Sequence, residues 1–387
     1  MVLLFFSCQK EEYQFQKEII GHEINKNLGD VHPSILQSDW WKQQPDFEKE
    51  ILKIELASED NQITFEELQK RFTQALRNAE KDGMRASVCP GYPSPNPEGH
   101  VDLCTQADVD AIGALGCKKI SGRLRIFDTL GVDPICDLTP LHNITKIGSA
   151  LNIQAGSCLT SLDGLDNIKS IGKSGPFGFV GVNGPALTDI EALANVKKIT
   201  GSINIIGCDN LVSFTNAFEN ITSIDSSYVP SSSFVSQYVL NIDNNASLVD
   251  ISGFRNLTNI DRILYIRNNA SLQNIDDLSA LSGNLLFLIV NNNGSLENLD
   301  GLSGLTTLSG SIFLFDNPLL QNVDGLSGVT SVALNVFLQN NPLLSDCCGL
   351  YNLVCNDPPA CSTSGIGNIF FSDGCQEVDI IAGGPCL

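Results

Sequence analysis

The chain has 387 residues, of which 42% are hydrophobic and 17% are charged, a composition typical of a folded protein. Its 44 acidic and 23 basic residues give a net charge of −21, which argues against nucleic acid and anionic lipid headgroups as electrostatic partners. The 13 cysteines indicate disulfide-stabilised segments and therefore an oxidising compartment.

Residues 1–8 form an apolar run that ends in Ser7 and Cys8. The run is too short to span a membrane. It resembles the end of a bacterial lipoprotein signal, with Cys8 as the lipidated residue. That resemblance implies an exported protein, held at the cell outer membrane or cell surface by a lipid anchor only. The alternative is a frayed apolar N-terminus without function.

Residues 9–85 are rich in charged residues and glutamine, and they predict a short helical N-terminal region. Thr64 and Glu67 have the spacing of a capping box, and Gly83 is a plausible helix stop. The preceding segment, residues 60–67, is superficially similar to half of a calcium-binding EF-hand loop. It lacks the first carboxylate and the turn glycine, so we reject that interpretation. Residues 86–103, which contain four prolines, predict a linker.

A repeat of 24 residues begins to dominate the chain in its second half. Its anchor is a leucine that follows a polar or small residue, and five anchors are spaced by 24: Leu248, Leu272, Leu296, Leu320 and Leu344. A fixed period of this length predicts a solenoid of stacked coils. We place the coils in residues 104–346 and a cysteine-rich cap in residues 347–387.

Each coil contains one segment with alternating hydrophobicity, which predicts a β-strand. The predicted inward pairs of the last five coils are all aliphatic: Leu240/Ile242, Leu264/Ile266, Leu288/Val290, Ile312/Leu314 and Val336/Leu338. After each anchor, segments such as Leu299–Leu305 predict a tight bend or a short helical turn.

Two polar ladders follow the same period. Five asparagines lie three residues before the anchors: Asn245, Asn269, Asn293, Asn317 and Asn341. We expect their side chains to form hydrogen bonds with backbone groups of the bend and of the neighbouring coil. Cys208 has the equivalent position one coil earlier, where we expect it to be a buried free thiol. Five acidic residues lie four residues after the anchors: Asp163, Glu191, Asp276, Asp300 and Asp324. They either cap their own turns, which we favour, or form a strip for calcium.

The coil pattern Ile-x-Gly-x-Leu-x-Ile, Asn-x-x-Leu, Leu-Asp-Gly-Leu resembles the receptor L-domain branch of leucine-rich-repeat proteins, and the C-terminal cysteines resemble the cap of Bacteroidota surface lipoproteins. The resemblance implies a mainly β, right-handed solenoid with disulfide caps. It also implies that Cys104 pairs with Cys117. The remaining disulfide candidates are Cys347, Cys348, Cys355, Cys361, Cys375 and Cys386. Pairing of Cys136, Cys158 and Cys208 stays open.

In the earlier coils the alternation predicts that Arg125, Asn152, Val180 and Asn204 face outward, and likewise Val182, which follows a glycine-rich insertion around residues 172–178. In the last four coils the outward side of the strands carries an unexpected apolar set, where polar residues are expected. The set is Tyr265, Ile289, Phe313, Phe315 and Phe337. Contiguous apolar patches on soluble proteins are commonly interaction sites. The alternatives are that the region before residue 86 or a second copy covers the patch, or that the residues stabilise the sheet.

Catalytic motifs and metal-ligand spacings are absent from the sequence, so we expect no enzyme, no metal and no cofactor. The sequence therefore predicts a non-enzymatic recognition or adhesion protein that binds a protein or glycan ligand through the strand face. The alternative is a structural stalk or scaffold whose apolar face is covered internally.

Overall fold

A computed structural model describes residues 99–128, 133–172, 179–224, 240–354 and 368–371. Cys8, the region 9–85, most of the linker, Cys355, Cys361, Cys375 and Cys386 lie outside these ranges. In the described ranges, parallel strands stack into one long sheet of eleven strands, which confirms the mainly β solenoid.

The long sheet, called here the main sheet, contains one strand from each coil. Its strands, in spatial and chain order, are Val101–Leu103, Leu124–Phe127, Leu151–Gln154, Phe179–Asn183, Ser202–Ile206, Leu240–Asp243, Ile263–Arg267, Phe287–Asn291, Ile312–Phe315, Asn335–Gln339 and Asn368–Phe371. The first strand lies within the predicted linker and the last lies within the predicted cap.

Shorter strands precede the main strands and form what we call the back sheets. The four-stranded back sheet contains Lys119–Ile120, Lys146–Ile147, Ser170–Ile171 and Lys198–Ile199. The others contain Ser223–Ile224 with Asn259–Ile260, and Gly283–Leu285 with Leu305–Leu308 and Ser331–Val332.

Helical segments are short. Helix α1 is Gln106–Ala114 and helix α2 is Tyr351–Val354. The bends after the anchors are single 3₁₀ turns, as predicted: Thr139–Leu141, Glu191–Leu193, Ser252–Phe254, Asp276–Leu278, Asp300–Leu302, Asp324–Leu326 and Cys348–Leu350.

The strand register of the last five coils is the predicted one. Leu264 pairs with Leu288, and Leu288 pairs with Ile312. All ten predicted inward residues are at most 1% exposed and belong to one continuous core. An aliphatic pair on one side of every strand fixes the register because a slip of one residue would expose the whole set.

In the coil after the glycine-rich insertion, the predicted register is wrong by one residue. Val180 and Val182 were expected to face outward, but both are buried in the core. They pair with Leu151 and Ile153, so Gly181 is the outward residue opposite Asn152. The segment 179–182 contains no polar side chain, and its alternation therefore gives no signal.

The asparagine ladder is confirmed as a structural feature. All five side chains are fully buried. The Asn293 Oδ1 accepts hydrogen bonds from the backbone N–H and the side-chain amide of Asn269, at 3.2 and 3.3 Å. The Asn293 side-chain amide donates to the carbonyl of Ile266 at 3.1 Å. Each asparagine thus satisfies backbone groups of the neighbouring coils.

The ladder ends at Cys208, whose backbone N–H donates to Asn245 Oδ1 at 3.0 Å. Its thiol is buried and free, as predicted, and burial raises its pKa to about 12. The residues just before the ladder asparagines adopt positive φ angles near 55°, for example Asn268 and Asn292. Asparagine and aspartate tolerate this left-handed conformation better than most residues.

The prediction that the acidic residues cap their own turns is wrong. Asp300 and Asp324 are the first residues of their turns and make no cap. The cap comes from two residues earlier, where Asn298 Oδ1 accepts from the Asp300 N–H at 3.0 Å. Asp250, two residues before Ser252, makes the same bond at 2.7 Å. A side chain two residues upstream forms an Asx turn, which reaches this N–H directly.

The predicted disulfide between Cys104 and Cys117 is also wrong, since the Cys104 thiol is free. Cys117 forms its disulfide with another cysteine, which leaves Cys104 without a disulfide. Cys117, Cys347 and Cys348 are each disulfide-bonded. The structure adds the disulfide Cys136–Cys158, which joins two consecutive coils.

Replacing Asn293 with alanine tests the ladder. We expect a loss of about 2–5 kcal/mol of unfolding free energy, because the Asn269 N–H and the Ile266 carbonyl lose their partners in a buried site. Chemical denaturation of the full chain measures the loss. Gln273→Ala, an exposed change in a neighbouring coil, is the control and should stay within about 0.5 kcal/mol of the unmodified chain. Equal stability of both variants would contradict the role of the ladder.

Candidate recognition face on the main sheet

The five predicted site residues lie together on the outward side of the main sheet. Tyr265, Ile289, Phe313 and Phe337 form one row, each directly opposite the next in the strand register. Phe315 lies two residues after Phe313, in the adjacent row, opposite Asn291 and Gln339. The five residues therefore form the contiguous patch that the repeat predicts.

Two further residues extend this apolar set, and sequence reasoning missed them. Ile263 and Phe287 lie opposite each other, two residues before Tyr265 and Ile289 on the same side of the sheet. The Phe287 and Phe313 rings are 6.2 Å apart. The sequence does indicate these two residues, because the two-residue alternation of the strands continues to their positions. We call the seven residues together the apolar face.

The apolar face is separate from the interior core of the solenoid. Its seven side chains are buried, but none belongs to the continuous core inside the coils. Their exposed fractions are 0–6%. Neighbouring side chains of the sheet cover only the sides of a side chain that stands perpendicular to it, and they leave its outer end uncovered. The face is consequently not an open surface in this structure, which agrees with the alternative of a covered patch.

The aromatic rings of the face stack along the solenoid. The Phe313 and Phe337 ring centroids are 5.1 Å apart and their planes differ by 7°. Two phenyl rings cannot lie side by side in one plane at this distance, so their faces are turned toward each other. The Phe315 ring is tilted by 55° to 60° against both. The pair thus directs ring edges, rather than ring faces, away from the sheet.

A polar sector borders the apolar face on its N-terminal side. Arg267 donates to Asp243 Oδ2 at 2.8 Å, and its guanidinium lies 4.9 Å from the Tyr265 ring centroid. Asn268 donates to the other Asp243 oxygen at 2.9 Å. An ion pair that is shielded from water and held by a further hydrogen bond fixes the orientation of the arginine over the ring.

Two amide oxygens in this sector have no hydrogen-bond donor. Asn241 donates to Asn204 Oδ1 at 3.3 Å, but the Asn241 Oδ1 accepts nothing. The Asn291 Oδ1 likewise lacks a donor. Both residues are 5% exposed. A buried acceptor without a donor is costly and uncommon, and each oxygen is able to accept a hydrogen bond from an N–H or O–H group.

The acidic ladder offers no comparable site. Burial first, and then the nearby carboxylates of Asp346 and Asp300, raise the pKa of Asp324. Burial and then Asp250 raise the pKa of Asp277. In the parts of the chain that the structure describes, no three His, Cys, Asp or Glu side chains are grouped closely enough to hold a metal ion. The glycines that follow the acidic residues have a packing role: a Cβ on Gly301 would lie 1.8 Å from the Ile275 carbonyl oxygen.

Comparison with protein families gives a match over the centre of the solenoid. Residues 179–282 match the model of the receptor L domain. The solenoid is receptor L-domain-like. Together with the stacked parallel strands, this match confirms the leucine-rich-repeat architecture predicted from the repeat.

A comparison with solved structures finds an internalin (inlF) from Listeria monocytogenes. The two proteins share 15% sequence identity, and the alignment covers 81% of this chain and 82% of the internalin. The TM-score is 0.33. The search of curated proteins found no match. None of the helices in the described ranges has the length and apolarity needed to cross a membrane.

Proposed function

We propose that this protein recognises a ligand through the apolar face and the adjoining polar sector, without catalysing a reaction. The observation that carries the proposal is the presence of seven apolar side chains where strand pairing does not require them. The equivalent outward positions of earlier coils are Arg125, Asn152, Gly181 and Asn204. Leucine-rich-repeat solenoids generally serve as binding surfaces, which supports the same function class.

The geometry of the face favours a polypeptide over a glycan. Sugars stack on the faces of aromatic rings, but Phe313 and Phe337 turn their faces toward each other. Ring edges carry the positive side of the aromatic quadrupole and suit the ring faces of aromatic side chains. Backbone N–H groups of a polypeptide would also supply the donors that Asn241 Oδ1 and Asn291 Oδ1 lack.

A structural stalk is the second candidate function, and the low exposure of the apolar face is the observation that favours it. A stalk would keep this face permanently closed, whereas a recognition protein must open it to a partner. The alternatives differ in what the native chain binds and in what the aromatic rings contribute to stability.

Immobilised peptides and immobilised glycans, probed with the native chain, distinguish these candidates. For a recognition protein we expect peptides with aromatic side chains to bind. The double variant Phe313→Leu with Phe337→Leu should weaken that binding at least tenfold, since each well-packed aromatic contact contributes about 1 kcal/mol beyond its area. Leucine keeps the face apolar, so folding, monitored by circular dichroism, should be unchanged.

The matched control is Asn152→Ser, which changes the same row of the main sheet in an early coil. Its binding should equal that of the native chain. Unchanged binding by the leucine variant would rule out the face as the ligand site. A native chain that binds neither peptides nor glycans, together with a loss of about 3 kcal/mol or more per ring in Phe313→Ser and Phe337→Ser, would instead support the stalk.

We also propose that the chain is held at the cell surface by a lipid on Cys8. The apolar run before Cys8 and the disulfide Cys136–Cys158 both support export to an oxidising compartment. Metabolic labelling of the full gene product with palmitate should mark the native chain and not the variant Cys8→Ala. Equal labelling of both chains would contradict lipidation at this residue.

A further inference from the structure

The first four coils of the solenoid carry a concentrated set of lysines along their back sheet, on a different surface from the apolar face. The set is Lys118, Lys119, Lys146, Lys169, Lys197 and Lys198. We call it the lysine column. Lys119 lies directly opposite Lys146, and Ser170 lies opposite Lys198. Lys169 and Lys197 lie one position earlier, joined by a backbone hydrogen bond of 3.0 Å.

The fold does not require lysine at these positions. In later coils the same places hold uncharged residues, such as Ser223 opposite Asn259 and Thr307 opposite Ser331. Between Lys198 and the C-terminal Leu387 the sequence contains no lysine. The later coils therefore serve as an internal comparison, in which neutral side chains support the same strand pairing.

The lysine column also works against stability. Neighbouring coils are about 4.8 Å apart, and like charges directly opposite each other destabilise a sheet. Five of the six lysines are exposed, all except Lys146. Within the described residues none of these five forms an ion pair, and the ion pairs found there involve arginines. Charge on five exposed lysines that the fold neither needs nor pairs indicates an external partner.

We propose that the lysine column binds a linear polyanion of the acidic polysaccharide class, such as a polyuronate. The column is two residues wide and three coil steps long, about 14 Å. This shape fits a single extended chain with charges at regular intervals. A membrane would instead present a plane of headgroups, and the column offers charge along only one line.

The chemistry of the column favours a polysaccharide over nucleic acid. It contains only lysines, which act as point charges, and lacks the arginines that bind phosphates in a bidentate manner. It also lacks aromatic side chains on which bases could stack. The net charge of −21, averaged over the chain, conceals this local reversal of sign.

Binding of polygalacturonate to the full chain, followed as a function of salt concentration, tests the proposal. The variant is Lys119→Ser with Lys198→Ser, which introduces a residue that later coils carry at these places. We expect about tenfold weaker binding at low salt and a salt dependence reduced by about 1.5 units in the log–log slope, since two charges are removed. The melting temperature should be equal or higher, because repulsion between the lysines is relieved.

The matched control is Arg255→Ser with Arg262→Ser, which removes the same number of positive charges outside the column. Its binding should remain within about twofold of the native chain. Single-stranded DNA and phosphatidylglycerol vesicles serve as competing probes. Equal binding by the lysine variant and the native chain would overturn the proposal. Tighter binding to DNA or to the vesicles than to polygalacturonate would also overturn it.

Discussion

The buried asparagine ladder is the constraint on which the rest of this structure depends. Each coil must turn out of the main sheet inside an apolar core, and the turn leaves backbone groups without partners. In the five coils of the ladder, one amide side chain per coil satisfies them, by accepting from the N–H of the preceding coil and donating to a carbonyl beside it. Because Asn269 bonds to Asn293 and Asn293 to Asn317, the bonds also link successive coils at a fixed register.

That register determines which side chains remain for function. With the aliphatic pairs inside and the asparagines occupied by backbone groups, the outward rows of the main sheet are free to vary. Between Tyr265 and Phe337 these outward rows are apolar, and two amide oxygens next to them have no hydrogen-bond donor. On the back sheet of the first four coils, most of the corresponding exposed positions are lysine. The solenoid thus carries two sets of side chains of contrasting chemistry, one apolar and one positively charged, and neither is required by the repeat.

The sequence predicts the fold well where the repeat is regular. Five anchors at one spacing give the inward pairs, the ladder and the turns, because each is repeated with the same residue type. Prediction fails where one coil departs from the others. Val180 was placed outward because no polar side chain marks the alternation after the insertion. The predicted disulfide at Cys104 is wrong because Cys117 pairs with another cysteine. Ile263 and Phe287 lie at the first positions of their strands, before the alternating residues that recur in every coil. The exposure of the apolar face could not be predicted, since burial depends on contacts beyond the strand itself.

Hydrogen exchange of the backbone amides, resolved by residue, tests the central claim most directly. If the ladder locks the coils together, the amides of Asn245, Asn269, Asn293 and Asn317, which donate to the next asparagine, should exchange only through cooperative opening of several coils. Their protection should match that of the neighbouring strand amides such as Leu288. Exchange of these four amides at the rate of the exposed turns, while the strands stay protected, would contradict the account.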